Sequence, residues 1–72
     1  MFGYIKKSDV LKIIERESKF QENMFRHYIV RSNNAKENGD ADRAAMLMDI
    51  SDDYFERYLE CKDLYRRIER EL

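Results

Sequence analysis

The chain is 72 residues long and 40% charged, yet its net charge is only −1, and it holds no proline, two glycines, one cysteine and one histidine. That length admits one domain, which buries only about 60% of its unfolded surface and is marginal alone. The single cysteine and single histidine exclude an intrachain disulfide and a closed four-ligand zinc site.

Dense, balanced charge without proline suits long solvent-facing helices and argues against a module that holds nucleic acid by bulk positive charge. No apolar run is long enough to span a membrane. The opening Met1–Lys7 is too short for a signal-peptide core, and its lysines follow the apolar residues instead of preceding them. With a lone thiol, these features lead us to expect a cytoplasmic protein without membrane partners.

Residues 1–7 read as a short apolar arm carrying Phe2, Tyr4 and Ile5. It is expected either to lid the end of a helical core or to reach a second molecule. Ser8 or Asp9 can cap a first helix over residues 8–37 by accepting from its first-turn amides. The uncharged row of that helix is Leu11, Ile14, Ser18, Gln21, Phe25, Tyr28, Ser32, Ala35, with steps alternating three and four. Asn33-Asn34 is its weak spot. Residues 38–40, Asn38-Gly39-Asp40, form the turn: Gly39 suits the left-handed end of one helix and Asp40 the cap of the next. The second helix, residues 41–72, carries the row Ala44, Leu47, Ser51, Tyr54, Tyr58, Cys61, Tyr65, Ile68, Leu72. Such spacing marks the seam of one helix packed on another.

Folding the chain at Gly39 brings the two rows into register. Ala35 meets Ala44, Ser32 meets Leu47, Tyr28 meets Ser51, Phe25 meets Tyr54, and Gln21 meets Tyr58 as a hydrogen-bond pair. Beyond them Ser18 meets Cys61, Ile14 meets Tyr65 and Leu11 meets Ile68. Large residues often oppose small ones, as interdigitation requires. The expected fold is therefore all-α: an antiparallel two-helix hairpin in one domain, assembling into a four-helix bundle or a higher oligomer. Apolar residues left off the seam support assembly. Val10, Ile13, Phe20 and Met24 flank the first row; Met48, Phe55 and Leu59 flank the second on one side, and Ile50 and Leu64 on the other. So wide an apolar sector asks for more than one partner helix.

Two charged constellations stand out. Asp42, Asp49, Asp53, Glu56, Glu60 and Asp63 form an acidic row on the back of helix 2. It reads as a solvated face partly neutralised by pairs such as Asp53 with Arg57, or as a ladder of charges mimicking nucleic-acid phosphates. The hairpin is also polar end to end. Residues 36–53 hold two basic and six acidic side chains, net −4, whereas residues 1–16 and 62–72 hold eight basic and five acidic, net +3. This matches the dipole of helix 2 and suits head-to-tail pairing in an antiparallel assembly. It also makes Lys6, Lys7, Lys12, Lys62, Arg66, Arg67 and Arg70 a candidate anion site, with Tyr4 or Tyr65 to stack on a base.

No catalytic set emerges. His27 falls opposite position 52, roughly 13 Å along the axis from Cys61 at 1.5 Å per residue. Met24 stands where a di-iron bundle would need a glutamate three residues before His27. There is no glycine-rich phosphate loop. The sequence thus points to a non-enzymatic interaction or oligomerisation protein without cofactor, a regulator or inhibitor of a larger protein, whose partner is itself or another protein. An anion-binding or nucleic-acid-mimicking protein is the second reading.

Overall fold

A computed structural model describes residues 6–71. Residues 1–5 of the expected arm and Leu72 lie outside the described residues, while Lys6 and Lys7 belong to the start of the first helix. Two helices of 31 residues each, α1 (Lys7–Glu37) and α2 (Ala41–Glu71), pack side by side as an antiparallel hairpin.

The turn forms as its residues dictate. The Gly39 amide donates to the Lys36 carbonyl at 3.1 Å and the Asp40 amide to the Ala35 carbonyl at 2.9 Å. This pair of bonds is a Schellman closure, and it needs the left-handed φ of 80° that Gly39 adopts. Asp40 then caps α2: the Arg43 amide donates to its Oδ1 at 3.1 Å. The start of α1 differs from the sequence expectation. Neither Ser8 nor Asp9 is the cap; Lys6 holds that position in extended conformation, without a side-chain cap bond. Its carbonyl accepts from the Val10 amide at 3.1 Å, so the ladder reaches back past both short polar residues. Lys7 Nζ donates to the Glu69 carbonyl at 2.7 Å, tying this first turn to the last turn of α2.

The buried residues all fall on the two rows: Ile14, Ser18, Gln21, Ser32 and Ala35 on α1, and Ala44, Leu47 and Ser51 on α2. The other described row residues, Leu11, Phe25, Tyr28, Tyr54, Tyr58, Cys61, Tyr65 and Ile68, are half-buried. Half of the buried set is polar, and it is small beside the turn. That lets the backbones approach closely enough for Ser32 Oγ to donate to the Ala44 carbonyl at 2.7 Å and Ser51 Oγ to the Phe25 carbonyl at 2.8 Å.

An aromatic layer fills the middle. Phe25 packs edge-on against Phe55 at 5.1 Å and tilts against Tyr58 at 5.5 Å, while Tyr28 stacks on Tyr54 at 5.8 Å. Ring partners are therefore shifted by one to four positions from level matching of Cα atoms. Helical side chains lean toward their own N-terminus, so rings on antiparallel helices lean in opposite directions. Cations cover exposed ring faces: Arg31 over Tyr28, Arg57 over Tyr54 and Lys62 over Tyr58. Each such contact contributes about 0.5–1 kcal/mol at exposed sites.

Candidate interaction surface

The seven-residue repeat divides the flanking residues between two opposite faces of the hairpin. Val10, Glu17, Met24 and Arg31 follow one another at heptad intervals on α1, and Arg43, Ile50, Arg57 and Leu64 do so on α2. Two grooves join these series. One of about 330 Å³ beside the turn is lined by Arg31, Asn34, Ala35, Asn38, Asp40, Arg43 and Leu47. The other, about 300 Å³ farther along, is lined by Glu17, Gln21, Arg57, Glu60, Cys61 and Leu64. Both series therefore share one face. Ile13 and Phe20, three residues beyond Val10 and Glu17, stand at its edge, 63% and 51% exposed.

Met48, Phe55 and Lys62 form a heptad series on the other side of α2. Lys62 lines a groove of about 200 Å³ with Glu15, Ser18 and Tyr65. This second face carries Met48, Phe55 and Leu59. The seven flanking residues singled out in the sequence are thus two patches back to back. Phe55 is partly committed within the hairpin through its contact with Phe25.

The carboxylates Asp42, Asp49, Asp53, Glu56, Glu60 and Asp63 are all exposed. Asp63 pairs with Arg67 at 3.0 Å. The expected Asp53–Arg57 pair does not form, because the Arg57 guanidinium lies over the Tyr54 ring at 5.3 Å from its centroid. Among the described residues no group of acidic, histidine or cysteine side chains is arranged to hold a metal ion. The basic residues at the open end are distributed around it. Lys7 is engaged with the Glu69 carbonyl. Lys6, Lys12, Arg66 and Arg70 are exposed, and Arg67 is held by Asp63. Heptad spacing puts Arg66 in line with Leu59 and Arg67 in line with Glu60, about 100° apart around α2.

Three polar groups in the seam need separate treatment. Gln21 does not bond Tyr58; its Nε2 donates to Glu17 Oε1 at 2.7 Å, one turn back. Its Oε1 and the Ser18 hydroxyl are buried without a partner. Cys61 is half-buried, and burial, followed by the negative charges of Glu17 and Glu60, pushes its thiol pKa above the usual value. That is the opposite of what a nucleophilic cysteine requires. His27 is exposed, and its ring lies T-shaped to that of Tyr28 with centroids 5.3 Å apart.

Among the described residues no helix is long and apolar enough to cross a membrane. Comparison with protein-family models, characterised proteins and solved structures gives no match.

Proposed function

We propose that this chain is a non-enzymatic protein–protein interaction module whose working surfaces are the two apolar faces of the hairpin. One observation carries this reading: the described residues expose more large apolar side chains than they bury. Among them only Leu47 and Ile14 are large buried hydrophobics, whereas Ile13, Phe20, Val30, Met46, Phe55, Leu59 and Leu64 are all exposed. Fully burying a side chain of this size stabilises by about 1.5–3 kcal/mol, and at 41–63% exposure each of these forgoes about half of that. A partner face recovers that stabilisation.

The test places glutamate at Phe20 on one face and, separately, at Leu59 on the other. Binding is followed by sedimentation of the pure chain and by titration with any protein it retains. Loss of association in at least one variant, with unchanged helicity, supports the reading. A wild-type chain that neither self-associates nor forms a saturable complex overturns it.

The acidic row supports a second reading, in which the back of α2 stands in for a phosphate backbone. All six of its carboxylates face solvent. A salt-sensitive complex lost on reversing Asp49, Asp53 and Glu56 favours that reading over the first.

A further inference from the structure

We infer that the grooved face, bearing Glu17, Met24 and Arg31 of α1 and Arg57 and Leu64 of α2, binds the same face of a second copy in antiparallel orientation. This inference rests on the interaction-module reading and names its partner.

Surface area comes first. A folded monomer of 8.8 kDa is expected to expose about 4,800 Å², but this chain exposes 6053 Å². Its Cα radius of gyration is 16.6 Å, where a globular domain of 72 residues has about 11 Å. The excess, on the order of 1,000 Å², exceeds the roughly 800 Å² that each partner contributes to a stable interface.

Charge selects the face and the orientation. The turn groove holds two cations, Arg31 and Arg43, against one carboxylate, Asp40. The middle groove holds two carboxylates, Glu17 and Glu60, against one cation, Arg57. The two grooves are charge complements on one face. A two-fold axis between them sets each turn groove against the partner's middle groove. A parallel pair would instead align like grooves and like ends.

Phe20 and Leu64, exposed beside the middle groove, gain apolar cover in the same arrangement.

The test uses the full chain with Cys61→Ser and a spin label at Ser8→Cys, an exposed site at the open end. Sedimentation gives the stoichiometry and electron–electron dipolar spectroscopy the label separation. At 1.5 Å rise per residue, antiparallel copies hold the labels more than about 35 Å apart, and parallel copies hold them within about 25 Å. A dimer with the long separation, converted to monomer by Phe20→Glu but retained in Leu59→Glu, is the expected result. A short separation, a dimer insensitive to Phe20→Glu, or a monomer at every concentration overturns the inference. A monomer that still forms a saturable complex with a different protein overturns only this inference. A monomer that binds nothing overturns the interaction reading too. Circular dichroism of each variant establishes that its helices are intact.

Discussion

Ser51 is 2% exposed, and its hydroxyl donates across the hairpin to the backbone carbonyl of Phe25 at 2.8 Å. Ser32 makes the reciprocal bond, from α1 to the Ala44 carbonyl of α2. A carbonyl in a helix already accepts from the amide four residues on, so each serine uses its second lone pair. The two bonds fix the register of helices whose apolar contact is thin. Ser51→Ala is expected to cost about 1 kcal/mol. Ser51→Leu is expected to cost more, since the helices must move apart. Ser18 is equally buried, but its hydroxyl has no partner. Ser18→Ala is therefore expected to be neutral or stabilising. Urea denaturation of the three variants separates these outcomes.

Gly39 tests the turn. A Cβ built there meets nothing within 4 Å, so space does not forbid a side chain. Its φ of 80° does. Gly39→Ala is expected to destabilise the hairpin by about 1 kcal/mol, and Gly39→Asn by less, because asparagine tolerates the left-handed region better. Equal thermal shifts in the two variants would contradict this assignment.

The rows and the turn were legible because each rests on a local signal. An uncharged three–four spacing survives over the length of a helix, and Asn38-Gly39-Asp40 supplies a stop and a cap in three residues. What escaped depends on the third dimension. Level matching placed Phe25 on Tyr54, while the lean of helical side chains carries it to Phe55 and Tyr58. Level matching pairs Gln21 with Tyr58, but Glu17 lies one turn away on its own helix and takes the amide. Spacing assigns Arg57 to Asp53, and the neighbouring Tyr54 ring holds it instead. The flanking apolar residues read as one wide sector. Only the grooves show that Met24 and Phe55 occupy opposite faces. The complementary charges of the two grooves have no signature in a single helix, because each groove draws residues from both.

The raised pKa of Cys61 has a sign that can be measured. A raised pKa lowers the thiolate fraction near pH 8, so the folded protein should react with a disulfide reagent more slowly than the urea-unfolded chain. Burial is the leading cause, followed by Glu17 and Glu60. Glu17→Gln or Glu60→Gln removes one negative charge and should move the pH profile of the reaction downward. A profile unchanged in both variants would show that burial acts alone.

The acidic row makes a separate forecast about stability. Asp49, Asp53 and Glu56 are exposed, and none forms an ion pair within the described residues. Changing each singly to lysine should shift stability by no more than about 0.5 kcal/mol, with relief of carboxylate repulsion along the helix acting in the stabilising direction. A large loss in any one of them would mean that the row is part of the fold's support and not a solvated face.

The most direct measurement is sedimentation equilibrium of the wild-type chain and of Phe20→Glu over a range of micromolar concentrations. The expected result is a species of twice the chain mass that dissociates on dilution, and a Phe20→Glu protein that remains at the mass of one chain with its helicity intact. A wild-type protein with the mass of one chain at every concentration, folded and stable, would contradict it.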